Sequence, residues 1–321
     1  MNEPLKLPTI SNLAEYESCF HDDVWKMVAA EICRQNGISF VGLRRSPGGE
    51  NIVFLVDESF VIKIFAPFRN RCSREVSALT LAQGRSPIKT PILICSGEID
   101  GWSYLITTQL TDSALQVSWD SVAKRDQVEI VSKLGVAMKQ LHSWEVELTG
   151  TKSGNHFVWS AFLERQVRFS LHPQRVQGVN QHWVETLFGY LATNLSQLPK
   201  DPKCVLLHGD IHPGNFLLKV EQGQWKIAGL IDFGDSLSGF HEYDFVRPAM
   251  HMAFGNRKLQ RTLLLAYGYE EKELNLTLRR RLMLLTILHE GSHLQDVTQR
   301  LGSKAHHLSL EELEAKIWCF V

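Results

Sequence analysis

Apolar residues at Val24, Met27, Val28 and Ile32 recur at the spacing of one helical face. Asp22 and Asp23 precede them as cap candidates and Gly37 follows, so a leading helix is expected there. The pattern then becomes β-rich. Phe40 to Leu43, Asn51 to Val56 and Phe60 to Phe65 are short strand-like runs, with Asp57, Glu58 and Ser59 forming the turn between the last two. Helix formers return over Cys72 to Gln83, where Val76, Leu79 and Leu81 supply the apolar positions and Gly84 and Pro87 close the segment. Two further strands, Pro91 to Cys95 and Trp102 to Leu110, flank the turn residues Asp100 and Gly101.

After Ser118 the pattern predicts a capped helix running to about Trp144. The remainder reads as mainly helical apart from one hairpin, Phe216 to Val220 and Trp225 to Ile231. There is no internal repeat and no low-complexity tract. The expected fold is α+β in two lobes. Residues 1–112 form a small antiparallel-sheet lobe with its leading helix, residues 113–321 form a mostly helical lobe, and the boundary falls within 111–116.

Composition narrows the class of partner. The 321 residues are 44% hydrophobic and 21% charged, an ordinary globular balance with enough apolar material for more than one core. With 34 Lys plus Arg against 35 Asp plus Glu, the net charge of -1 gives no global field to recruit nucleic acid or an anionic membrane. Cys19, Cys33, Cys72, Cys95, Cys204 and Cys319 include no CxxC pair, which points to buried thiols in a reducing compartment. Met1 to Ile10 carries Glu3, Lys6 and two prolines rather than an apolar core, and the longest apolar stretch, Leu282 to Leu288, is interrupted by Thr286. A soluble cytoplasmic protein is expected; its oligomeric state is left open.

The chemistry concentrates in Leu207-His208-Gly209-Asp210-Ile211-His212-Pro213-Gly214-Asn215, followed after the hairpin by Leu230-Ile231-Asp232-Phe233-Gly234. Phosphoryl transfer needs an oriented hydroxyl and a divalent ion to offset phosphate charge, and an Asp, an Asn and a second Asp supply those groups. Taken singly, Asp and Asn beside glycine more often satisfy turn backbone. Here they come in order. Asp210 stands five residues before Asn215, the separation found in the protein-kinase catalytic loop, and Asp232 opens a DFG triplet.

These two segments resemble the catalytic loop and metal-binding segment of aminoglycoside phosphotransferases, choline kinases and related small-molecule kinases, which carry HGD where protein kinases usually carry HRD. The resemblance spans Phe40 to the Asp244 region. It implies a protein-kinase-like fold that moves the γ-phosphoryl of ATP, or GTP, to a hydroxyl of a small-molecule acceptor. In that scheme Asp210 is the catalytic base or hydroxyl-orienting group, Asn215 and Asp232 hold Mg²⁺, and His208 braces the loop. Gly239-Phe240-His241-Glu242-Tyr243-Asp244 resembles the family's Gly-x-x-x-Tyr-Asp segment, which implies structural support from Asp244.

Val61-Ile62-Lys63-Ile64-Phe65 sets a lysine inside a β-branched strand, like the kinase Val-Ala-Ile-Lys segment, and Glu75 twelve residues on is its expected partner. The bland reading is a lysine on a strand edge and a solvated glutamate. Ser46-Pro47-Gly48-Gly49-Glu50-Asn51 lies where a phosphate-covering loop belongs but lacks GxGxxG, so Gly48 and Gly49 either touch phosphate or form a hairpin turn. Tyr104 to Leu110 ends where the family hinge binds the adenine edge, which makes Thr108 and Leu110 cofactor-contact candidates. Glu242, Asp244, Glu270, Glu271 and Glu290 are acidic candidates for a cationic acceptor, or else solvated helix faces.

Two other functions remain open. A nucleotide-binding scaffold without transfer activity shares every fold signal. His289-Glu290-Gly291-Ser292-His293 matches HExxH, whose histidines share a helix face and can bind zinc as in a peptidase, although Asp296 and Gln299 break the extended HExxHxxGxxH pattern. Leu278, Leu282 and Leu285 lead into His289 along one stripe, so both histidines also suit a buried helix.

Overall fold

The computed structural model describes residues 6–21, 23–47, 49–69, 71–110, 117–144, 158–291 and 293–321. The expected lobe boundary at 111–116 lies outside them. Two helices lead, α1 (Leu13–Cys19) and α2 (Val24–Gln35), and five strands follow, β1 (Leu43–Arg45), β2 (Ile52–Val56), β3 (Phe60–Ile64), β4 (Leu93–Ile99) and β5 (Trp102–Thr108). They pair antiparallel in the order β1-β2-β3-β5-β4, with α3 (Arg71–Ala82) inserted between β3 and β4. Trp25, Val28, Ala29 and Ile32 form one buried stripe of α2 and pack on Ile52, Phe54, Ile62, Ile64 and Ile106 from the sheet. Trp25 meets Trp102 edge-on at 4.5 Å between ring centroids, a favoured aromatic geometry.

Three local expectations shift. The first strand starts at Leu43 rather than Phe40, because the Asp57 carboxylate accepts the Val41 and Gly42 N–H groups at 2.7 and 2.6 Å and holds them out of the ladder. Asp23 makes no side-chain cap bond to α2. The earlier helix α1 was not foreseen; Asn12 caps it by accepting the Glu15 N–H at 3.0 Å.

The second lobe comprises α4 (Lys124–Leu141), α5 (Trp159–Phe169), α6 (Pro173–Val176), α7 (Gln181–Asn194), α8 (Val246–His251), α9 (Arg257–Tyr267), α10 (Leu276–Leu288), α11 (His293–Leu301) and α12 (Leu310–Ile317). Ser118 does not cap α4; a short 3₁₀ turn, Trp119–Ser121, comes first and Ala123 precedes the helix. The predicted hairpin is present as β6 (Phe216–Glu221) and β7 (Gln224–Leu230), turning on Gln222 and Gly223, both at positive φ. A second pair, Cys204–Leu207 (β8) with Leu237–Phe240 (β9), was not foreseen. Val205, Leu206 and Leu207 are all buried, so this short run shows no alternation to mark it as a strand. The large core joins these helices, and Ala78, Leu79 and Ala82 of α3 enter it, anchoring the first lobe on the second. Among the described residues no helix is long and apolar enough to cross a membrane, and all six cysteines are free thiols.

Candidate active site

Strand alternation places the first functional group. Ile62 and Ile64 of β3 enter the core against α2, which sends Lys63 to the opposite face of the sheet. There it is only 8% exposed, and its Nζ lies 2.7 Å from Glu75 Oε2 and 2.6 Å from Asp232 Oδ1. Glu75 sits in α3 and Asp232 follows β7, so one ammonium ties three segments together. Burial alone would favour the neutral amine, but the two carboxylates outweigh it and hold Lys63 above the usual lysine range. Asp232 adopts a left-handed backbone at φ 65°, uncommon for a residue with a side chain, and its carboxylate remains partly open to solvent.

The loop after β8 is held from below by Asp244. Its Oδ2 accepts the His208 N–H and its Oδ1 the Gly209 N–H, both at 2.8 Å, while His142 Nε2 lies 3.0 Å from Oδ2. His142 in turn contacts the Tyr267 hydroxyl at 3.1 Å through Nδ1. His208 Nδ1 accepts the Asp210 N–H, which leaves Nε2–H to donate to the Ile231 carbonyl, each at 3.2 Å. That imidazole links the Asp210 loop to the strand end before Asp232, and burial keeps it neutral by lowering its pKa. Gly209 is required by its surroundings as well as by φ 81°, since a Cβ there would overlap the Asp235 carbonyl.

Asn215 Nδ2 donates to the Asp210 carbonyl at 2.9 Å and to its carboxylate Oδ2 at 3.0 Å, which leaves the amide Oδ1 as the atom able to ligate a cation. Arg247 of α8 grips the same carboxylate, donating through Nε to Oδ1 at 2.5 Å with Nη2 also in contact, and His212 Nε2 lies 3.3 Å from Oδ2. Burial raises the Asp210 pKa, but the His212 and Arg247 contacts overcome that and hold it well below the usual carboxylate range. Arg247 and His142 were missed in the sequence because neither belongs to a motif; the nearest signal is that Arg247 closely follows the Gly-x-x-x-Tyr-Asp segment.

The remaining expected groups divide. Gly49 lies between β1 and β2 at φ 107°, whereas Gly48 lies outside the described residues. Neighbouring Glu50 pairs with Arg69 at 2.7 Å and with Arg71, and Arg71 reaches Asp235 at 3.1 Å, so this loop is linked to the Asp232 segment. The Thr108 N–H donates to the Ile92 carbonyl and its hydroxyl accepts the Ile92 N–H, both at 2.9 Å, so both groups are engaged within the first lobe. Leu110 packs tightly over Gly229 of β7, where an added Cβ would approach its Cδ1 to 2.5 Å.

Four of the five acids considered for a cationic acceptor are engaged elsewhere. Glu242 meets Arg281 and Tyr269, Asp244 holds the loop, Glu270 pairs with Lys272, and Glu271 pairs with Arg261. The HExxH histidines do not share a helix: α10 ends at Leu288, His289 has an extended backbone and His293 opens α11. Both are nevertheless buried.

The family model described as the phosphotransferase enzyme family, APH, matches residues 42–284, running past Asp244 where the motifs end. No curated protein sequence matches significantly. Among solved structures, the GDP complex of wild-type aminoglycoside 2'-phosphotransferase-IIIa is similar at 19% identity and a TM-score of 0.65, covering 91% of this chain and 98% of that one. The streptomycin-ATP ternary complex of APH(2")-IIa aligns at 16% identity and a TM-score of 0.61 over 94% of this chain and 99% of that one. A thermostable mutant of aminoglycoside phosphotransferase APH(4)-Ia in its apo form aligns at 15% identity and a TM-score of 0.56 over 89% of this chain and 97% of that one. These likenesses establish the kinase-like fold, and with well over half of its length matched by the family model, the chain belongs to the APH phosphotransferase enzyme family.

Proposed function

We propose that this protein transfers the γ-phosphoryl group of ATP or GTP to a hydroxyl of a small-molecule acceptor. The observation that carries the proposal is that Lys63 meets Asp232 at 2.6 Å, Asn215 meets Asp210 at 2.9 and 3.0 Å, and the Ile231 N–H, donated to the Asn215 carbonyl at 3.0 Å, joins the two pairs. Similarity to proteins solved with GDP and with streptomycin plus ATP supports a nucleotide donor and a hydroxylated acceptor.

Lys63, kept charged by Glu75, would take the α and β phosphates once they displace Asp232 from it. Asp232 and the Asn215 Oδ1 are hard oxygen donors whose segments the Ile231 N–H to Asn215 carbonyl bond joins, and they would hold a Mg²⁺. When bound, that ion supplies charge to phosphate oxygens. Asp210 aligns the acceptor hydroxyl and accepts its proton as the new P–O bond forms and the bond to the β-phosphate oxygen breaks. The products are a phosphate ester and the nucleoside diphosphate. Arg247 and Asn215 fix the rotamer of Asp210, so the carboxylate is held in place before the acceptor arrives.

A panel of hydroxylated acceptors with labelled ATP or GTP and magnesium tests the reading. Asp210→Asn should lower turnover by about 10² to 10⁴ while Mg-nucleotide still binds, since general-base contributions fall in that range. Near-normal turnover in the variant would remove Asp210 from the chemistry. Nucleotide binding without product across the panel would favour the scaffold reading.

A further inference from the structure

Beyond the nucleotide cleft, three potential ligands converge from two helices. His251 ends α8, His293 opens α11 and Asp296 lies one turn farther along α11. One ligating atom from each lies within 4.8 Å of the others. His293 is fully buried, and among the described residues neither of its ring nitrogens has a hydrogen-bond partner. Buried imidazoles ordinarily satisfy at least one nitrogen, so this is an unexplained group aimed into the cluster. Asp296 Oδ2 is 3.6 Å from His293 Nδ1. That is too long for a good hydrogen bond but close to the roughly 3.3 Å between ligands of a tetrahedral ion bonded at about 2.0–2.1 Å.

We propose that His251, His293 and Asp296 form a binding site for a divalent transition metal, with Zn²⁺ the best chemical match, separate from the magnesium ligands of the nucleotide site. Two imidazoles and one carboxylate suit a borderline-soft ion and leave a coordination position open. His289 is excluded from the ligand set although its ring lies 4.8 Å from that of His293. Its Nδ1 accepts the Gly291 N–H at 3.1 Å, so Nε2 carries the proton and has no lone pair to offer. The site touches the catalytic loop through Arg247, whose Nη1 lies 3.1 Å from His251 Nε2 while its Nε holds Asp210. An ion taking the His251 Nε2 lone pair displaces that guanidinium contact, and Asp210 remains to balance the arginine charge. The remote alternative of zinc at HExxH thus gives way to a different ligand set that keeps only His293.

The test uses the full chain, chelator-treated, nucleotide-free and held in excess MgCl₂, titrated with ZnCl₂ by calorimetry and with CoCl₂ by visible absorption. One equivalent of each should bind, with Co²⁺ showing the intense d–d bands of low coordination number. Asp296→Asn and His251→Gln should each weaken Zn²⁺ by more than the about 10–100-fold that loss of an outer-sphere partner costs. His182→Gln, on an exposed face of α7, should leave affinity unchanged. Circular dichroism establishes that the variants are folded. Asp296 is half open to solvent, so its substitution decides the matter if the His251 variant does not fold. Failure of the wild type to take up saturable Zn²⁺, or unchanged affinity in a folded ligand variant, would overturn the proposal.

Discussion

Replacing Asp244 with asparagine would remove charge from beneath the loop that carries His208, Gly209 and Asp210 without changing side-chain size. Three groups meet the carboxylate: the His208 and His142 nitrogens on Oδ2 and the Gly209 N–H on Oδ1. Asparagine offers one acceptor oxygen and turns an NH₂ toward a donor. The less costly flip keeps His208 and His142 and abandons the Gly209 N–H, a buried donor whose loss costs about 1–3 kcal/mol. Both surviving bonds become neutral ones, each weaker by roughly 1 kcal/mol than a charge-assisted bond. With Asp244 only 2% exposed, solvent cannot compensate, and the expected loss is about 3–5 kcal/mol. That is a large part of a typical domain's total of about 5–15 kcal/mol.

Urea denaturation of Asp244→Asn, read by tryptophan fluorescence, should therefore show a much lower midpoint. At temperatures where the variant stays folded, turnover at saturating nucleotide should also fall, because slack at Gly209 passes directly to Asp210. His142→Phe removes one donor and leaves both backbone bonds intact, so it should cost less, and the double variant should cost less than the sum. A midpoint change equivalent to under about 1 kcal/mol in Asp244→Asn would refute the assignment of Asp244 as the loop's support.

Gly209→Ala should lose at least about 1–2 kcal/mol in thermal denaturation from left-handed strain alone, with the Asp235 carbonyl overlap adding to it. Retention of wild-type melting would show that the loop has another resting conformation. Lys63→Met leaves Glu75 and Asp232 facing each other; breaking a buried pair costs about 3–5 kcal/mol, and the partial exposure of Asp232 places this one toward the low end. Its nucleotide affinity, read by equilibrium binding, should fall as well. Asp210 is held below the usual carboxylate range, so its ionised form persists as pH falls; Arg247→Ala removes part of that hold, and the acid limb of kcat/KM should move to higher pH. An unmoved limb would show that Arg247 does not set the charge state of Asp210.

Legibility in the sequence followed the range over which each group is fixed. Lys63, Glu75, Asp210, Asn215 and Asp232 were readable because local geometry demands them at set offsets: alternation in β3 for the lysine, a tight loop for the Asp and Asn. The short strands Cys204–Leu207 and Leu237–Phe240 were not, because burial of the first on both faces erases the period that would reveal it. Arg247 and His142 escaped for another reason: what selects them is the charge of Asp210 and Asp244 across 37 and 102 residues of chain, and no local pattern records that. HExxH shows the converse failure, since its spacing implies one helix face only where a helix continues, and α10 stops at Leu288.

Two cations join the lobes through paired carboxylates. Lys63 bridges Glu75 of the first lobe to Asp232 of the second, and Arg71 bridges Glu50 to Asp235 in parallel. On the proposed function, a nucleotide phosphate would replace a carboxylate on Lys63 instead of meeting an unpaired ammonium. Its net gain would therefore be the difference between two charge-assisted contacts, well short of the full strength of one. The released Asp232, partly open to solvent, would regain a cationic partner if a divalent ion arrived with the phosphates. On the proposed function, metal and nucleotide binding would be coupled by this exchange, because each would supply the partner that the other's arrival removes. The same reasoning would extend to Asp210, where Arg247 meets Oδ1 through two nitrogens and Asn215 and His212 meet Oδ2: an acceptor hydroxyl would have to take the place of one of these donors. On the proposed function, selectivity among acceptors would come from other surfaces of the second lobe, which is why the most readable residues in the chain say least about the acceptor.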